Sequence, residues 1–106
     1  MAKYLIQATY SAEGFKGVAK DKASGRKAAL EKALASVGAR LDAFYYSFGD
    51  HDAVLIVDAP DNATVAAVGM AACSTGLART STTPLLTIEE ADHAVKKSVK
   101  YSGPGQ

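Results

Sequence analysis

Phe48-Gly49-Asp50-His51-Asp52-Ala53 runs directly into Val54-Leu55-Ile56-Val57-Asp58-Ala59-Pro60-Asp61, and this stretch decides the fold. Gly49-Asp50 is a turn signal between two apolar runs, so one strand ends there and another begins. Gly49 supplies a positive φ, Asp50 suits a bond to its own backbone, and Asp52 is placed to cap N–H groups at the strand start. The second run is apolar at five consecutive positions, Ala53 to Val57. Pro60-Asp61-Asn62 then opens a helix, with Asp61 or Asn62 as its cap. That helix runs to about Thr75 without a charge between Asn62 and Leu77, and Gly76 ends it.

Working outward, Tyr4 to Tyr10 alternates as a strand, with Tyr4, Ile6, Ala8 and Tyr10 on one side. Ser11-Ala12-Glu13-Gly14 breaks it and predicts a short helical turn. A helix follows over Lys22 to Val37, where Leu30, Ala33, Leu34 and Val37 form a buried stripe. Ser24 is a candidate internal N-cap because Gly25 weakens a helix running through it. Gly38 stands where a helix C-terminus takes a left-handed residue. The second strand spans Ala39 to Phe48, with Phe44, Tyr46 and Phe48 on one face. The fourth spans Arg79 to Ile88, and a terminal helix is expected over Glu89 to Lys100, acidic at its start and basic at its end. Residues 1–97 are expected to form one domain and 98–106 a flexible tail.

The order βαββαβ with right-handed crossovers gives an α+β, ferredoxin-like domain. Its four-stranded antiparallel sheet has the order 4-1-3-2 and carries a further C-terminal helix. Pro84 supports this, since its missing N–H is tolerated on an edge strand. Helices cover one side of such a sheet only. Yet the third strand is apolar on both sides: Ala53, Leu55 and Val57 on one, Val54 and Ile56 on the other. Such a strand is normally buried on both sides. At about 25 cal/mol per Å², leaving it wet forfeits several kcal/mol. A homodimer, sheet against sheet about a two-fold axis, is the expected cover. The alternative cover is the chain's own terminal helix. The apolar 62–75 helix is a candidate contact for a higher oligomer.

Composition narrows the functions. The 106 residues are 48% hydrophobic with a net charge of +1, too near zero for a bulk role on nucleic acid or anionic lipid. The single cysteine, Cys73, excludes an internal disulfide; with small neighbours it reads as a buried, inert thiol. Neither a secretion signal nor a membrane span is apparent, so a cytoplasmic location is expected. Charge is nevertheless uneven: residues 16–40 hold seven basic and two acidic side chains. Within them Lys22, Arg26 and Lys27 are candidate phosphate contacts.

The stretch Gly49-Asp50-His51-Asp52 followed by Val54 to Asp61 resembles the GYD-domain family. So do Gly38-Ala39-Arg40-Leu41 through Phe44-Tyr45, Leu77-Ala78-Arg79-Thr80 and Thr87-Ile88-Glu89-Glu90. The likeness covers roughly Lys3 to His93. His51 takes the place of the name-giving tyrosine, replacing a phenol by a group that titrates near neutrality. The resemblance implies a ferredoxin-like dimer of the dimeric α/β-barrel kind and little defined chemistry.

No conventional catalytic set accompanies these signals. Asp50, His51 and Asp52 are adjacent, and consecutive strand residues point to opposite faces, so no metal site is assigned to them. Glu89, Glu90 and His93 lack the partner carboxylates of a helical iron site and read as a surface ion pair. There is no nucleophile elbow, phosphate loop or dinucleotide fingerprint, and no cofactor is assigned. Gly49, Asp50, His51 and Asp52, with Tyr10 and Tyr46, are the candidate binding residues. Tyr10, Phe44, Tyr45, Tyr46 and Phe48 are placed to line the core, a pocket or the dimer seam.

The leading reading is a homodimeric small-ligand-binding or assembly module without catalysis. One alternative is a metal-dependent nuclease or nucleic-acid binder of the CRISPR-associated ferredoxin-fold type. Such nucleases use an aspartate near the end of the first strand, where this chain has Thr9-Tyr10-Ser11. The other is a dimeric-barrel enzyme acting on a small organic molecule, with His51 as acid-base group if it reaches a pocket.

Overall fold

A computed structural model describes residues 1–106. In chain order the elements are β1 (Ala2–Tyr10), α1 (Ala12–Ala35), β2 (Arg40–Tyr46), β3 (Ala53–Ala59), α2 (Asn62–Ser74), β4 (Ala78–Leu85) and α3 (Ile88–Val95). The strands form one antiparallel sheet in the order β2-β3-β1-β4, which is 4-1-3-2 read from the other edge. The α+β, ferredoxin-like arrangement expected from the chain is therefore the one observed. Pro84 lies in β4, an edge strand paired with β1 alone.

The alternation of β1 and β3 sorts their side chains onto two faces. Tyr4, Ile6 and Ala8 meet Val57, Leu55 and Ala53 in register, and all six are buried. Leu34 from α1 and Val65 from α2 close this core from the helix side. Tyr4 is 2% exposed, and its phenol donates to Asn62 Oδ1 at 2.7 Å, tying the central strand to the start of α2. The hydroxyl is thereby satisfied inside the core.

The opposite face is bare. Leu5, Gln7, Val54 and Ile56 are only partly buried, and Tyr45 is 71% exposed. The terminal helix does not cover it. All of α3 is exposed apart from the partly buried Ala91. Ile88 and Val95 are more than four-fifths exposed. The molecule is accordingly elongated, 55 × 33 × 22 Å, with a radius of gyration of 16.8 Å. A compact chain of this length has a radius of about 13 Å.

Helix ends follow the capping residues. Ser11 caps α1, accepting from the Gly14 N–H at 3.1 Å. Asp61 caps α2, accepting from the Thr64 N–H at 2.8 Å. At the far end of α1, Gly38 has φ +75°, and the Ala39 N–H reaches back to the Leu34 carbonyl at 2.9 Å. That is a Schellman-type termination, as the glycine predicted.

Four boundaries differ from the sequence reading. Because Ser11 is an effective cap, the segment after β1 is a full helix rather than a short turn. α1 runs on to Ala35 through one non-helical residue, Lys22, with φ 66° and ψ 162°. The break thus falls two residues before Ser24. The second strand stops at Tyr46, because Ser47 closes the turn: its N–H bonds the Asp52 carbonyl and its Oγ the His51 carbonyl, both at 2.8 Å. Phe48 lies beyond the strand, fully exposed. β4 ends at Leu85 because Thr87 and Glu90 form a reciprocal capping box that starts α3. That helix ends at Val95, so Lys97 and Lys100 lie outside it. Val95, Ser98 and Val99 are weak helix formers.

Candidate functional site: a cleft between two helices

α1 and α2 lie on the same side of the sheet, where Leu34 and Val65 close one core. α1 leans on β2, and α2 leans on β4. The gap between them opens onto the floor of the sheet. An apolar cavity of about 100 Å³ lies there, and eleven of its fourteen lining residues are hydrophobic. Ile6, Leu55 and Phe44 form part of the floor, Leu30 and Leu34 one wall, and Val68 the other. Two further hollows of about 270 Å³ each adjoin it. One runs along the seam between α1 and α2, the other toward the α1 N-terminus and Leu77. Arg26 and Ala72 line all three.

The small residues of α2 explain why the gap exists. Gly69 and Ala72 bring no bulk to the cleft, so the helix can sit on β4 without filling the space beside it. A Cβ on Gly69 would stand 3.3 Å from Thr80 Oγ1, so this helix already lies close to β4. At the other end, a Cβ on Gly14 would come within 2.1 Å of the Leu77 carbonyl oxygen. No side chain fits there, and the glycine lets α1 dock against the start of β4.

Polar groups in the lining are few. Arg26 is the only charged residue lining the central cavity. Its side chain is 40% exposed, and its Nη1 lies 3.5 Å from Asp21 Oδ2, a long contact for a hydrogen bond. Tyr10 lines both the central cavity and the hollow beside Asp21. Burial, then the neighbouring Tyr46 phenol, push its hydroxyl up to about 12, while the Arg26 charge works the other way. The Tyr10 hydroxyl therefore stays protonated at neutral pH. Its ring meets Phe15 edge-on at 5.4 Å, and Phe44 and Tyr46 stack at 5.1 Å.

The turn residues singled out from the sequence occupy another place. Gly49, Asp50, His51 and Asp52 line none of these three hollows. Gly49 has φ +139°, as a turn glycine should. The Asp50 carbonyl stands 3.5 Å from the Thr9 hydroxyl. Asp52 accepts from the Tyr10 N–H at 2.9 Å, and its own N–H donates to the Ala8 carbonyl at 2.8 Å. It thus caps the end of β1 and fixes the backbone of a cleft residue. His51 Nδ1 is buried without a hydrogen-bond partner. No three histidine, cysteine, aspartate or glutamate side chains gather as a metal-binding group.

Of the basic residues, Lys22 and Lys27 are exposed around the break in α1, while Arg26 borders the cleft. Cys73 is half-buried rather than buried. Its Sγ lies 3.6 Å from Thr80 Oγ1, and that hydroxyl draws the thiol below its ordinary value. No helix is long and apolar enough to cross a membrane.

A second polar cluster sits on the bare face. Asp58, with a side chain 5% exposed, accepts from Lys3 at 2.7 Å and from Arg40, and Asp42 binds both cations. The Lys3 ammonium, and after it Arg40, hold the Asp58 carboxyl below the usual range against the opposing effect of burial. Asp42 projects here because a register shift between Leu41 and Ala43 interrupts the β2–β3 ladder.

Sheet order, crossovers and helix placement define an α+β domain of ferredoxin-like architecture with a cleft between its helices. Within that class the family model of the GYD domain matches residues 4–95, and the chain belongs to the GYD-domain family. No curated protein and no solved structure matches it.

Proposed function

We propose that this protein is a homodimeric module that binds a small, largely apolar molecule between α1 and α2, without catalysis. The observation that carries the reading is the cleft: an apolar space above the sheet, walled by α1 and α2, with few polar groups in its lining. Pockets of that kind bind by burying apolar surface and orient the ligand through a few polar groups. His51, the one acid-base candidate of the enzyme alternative, does not line the cleft.

The other face supports association into a dimer. Leu5, Val54 and Ile56 form an apolar patch at the centre of a sheet that α3 leaves bare. A second copy laid against it removes this surface from water.

The ligand reading is tested with the neutral fluorescent probe N-phenyl-1-naphthylamine. The wild-type protein is expected to enhance and blue-shift its emission saturably. Ala72→Trp, which fills the shared part of the hollows, is expected to abolish the enhancement while thermal unfolding shows a folded domain. Equal enhancement by the folded variant places the probe elsewhere and ends the reading.

A further inference from the structure

We infer that the ligand of this cleft is an amphipathic monocarboxylic acid, its apolar body lying between α1 and α2 and its carboxylate on Arg26. The inference rests on the ligand-binding reading above and adds the charge class of the ligand. Arg26 lines the central cavity and both adjoining hollows, so a molecule in any of them lies beside this residue. The guanidinium is partly withdrawn from water, and its single carboxylate contact is one 3.5 Å approach to Asp21. Most of its five donors are therefore unused.

A neutral ligand covering the mouth would strip water from this cation and return nothing. A cationic ligand would be repelled. A carboxylate matches the planar fork of donors and forms charge-assisted hydrogen bonds in a setting of reduced dielectric. Tyr10 lines the central cavity together with Arg26. The nearby Asp21 charge favours a singly charged head over a doubly charged one. The rest of the central lining is almost wholly apolar, which suits a chain or ring of a few carbons behind the head.

The experiment is isothermal titration calorimetry with three probes of equal chain length: octanoate, 1-octanol and octylammonium, at pH 7.5. Octanoate is expected to bind at least about tenfold more tightly than 1-octanol, the scale of a charge-assisted hydrogen bond. Octylammonium is expected to bind most weakly. Arg26→Gln is expected to lower octanoate affinity about tenfold and leave 1-octanol unchanged. Asp21→Asn, which frees the guanidinium, is expected to tighten octanoate alone. Circular dichroism melts confirm that both variants fold, and the gain from Asp21→Asn cannot come from damage to the fold. Octanoate and 1-octanol binding with equal affinity would overturn the inference while leaving the cleft a binding site. Failure of all three probes would remove the ligand-binding reading, and the inference with it.

Discussion

The two faces of β3 carry the same kind of side chain and meet different fates. Ala53, Leu55 and Val57 point toward the helices and are at most 5% exposed. Val54 and Ile56, interleaved with them, point the other way and are only partly buried. One set is sealed within its own chain, and the other is left only partly covered by it. Apolar content therefore reports how much surface a strand must hide, while topology decides whether the same chain can hide it.

The sharpest way to break this comparison is to put the same charge on each face. Val57→Asp places an unpaired carboxylate in the sealed core and is expected to cost about 5 kcal/mol or more, leaving no cooperative unfolding transition in urea. Ile56→Asp, one residue earlier, is expected to leave a folded domain and to convert the proposed dimer to a monomer in sedimentation velocity. Should Ile56→Asp unfold the chain as Val57→Asp does, the two faces are equally internal and the contrast fails. A core truncation comes next. Leu34→Ala on the fully buried α1 contact is expected to lower unfolding free energy by about 3 kcal/mol, read from denaturant melts.

The ion cluster on the bare face gives a pH-dependent test. Asp58 is held below its ordinary carboxylate value by Lys3 and Arg40. Its stabilisation is complete above the unfolded carboxylate value of about 3.9 and is lost as the pH falls through the lower folded value. The stability gap between wild type and Asp58→Asn is therefore expected to be full at pH 6 and to close as the pH drops below about 4. A gap that stays constant down to pH 2 would assign the effect to packing. The smallest change is expected at the break in α1. Lys22 holds φ 66° and ψ 162°, a region that glycine occupies without strain. Lys22→Gly is expected to stabilise the fold by about 1 kcal/mol, seen as a small rise in melting temperature.

Much of the architecture could be read from the chain because its signals are local. Gly38, Gly49 and Gly76 mark chain reversals and all three have positive φ. Asp61 and Pro84 marked a helix start and an edge strand. What escaped reading depended on competition between neighbours. The half of α1 before Lys22 was hidden because Gly14 and Gly17 lower helix propensity, while the Ser11 cap and the tight approach to Leu77 favour it. The capping box at Thr87 and Glu90 cut the fourth strand short of Ile88.

The site was less legible than the fold. Tyr10, Tyr46 and Arg26 carried recognisable chemistry, and the structure brings them to one region. The walls, Leu30, Leu34 and Val68, look like ordinary core residues, because nothing in a helical stripe reveals that its partner helix stands apart. The run of small residues in α2 was the available signal, and the sequence makes it a candidate contact for a higher oligomer. The turn around His51 drew attention through its density of polar groups, yet it lines none of the three hollows.

The bond from the Tyr10 amide to the Asp52 carboxylate joins these two places. It sets the last residue of the central strand against the turn between β2 and β3, in the manner of an abutment under an arch. A change in that turn can thus reach the lining of the cleft by tilting one phenol, although no turn residue lines the cleft itself. Residues that never meet a ligand can in this way govern how well it is held.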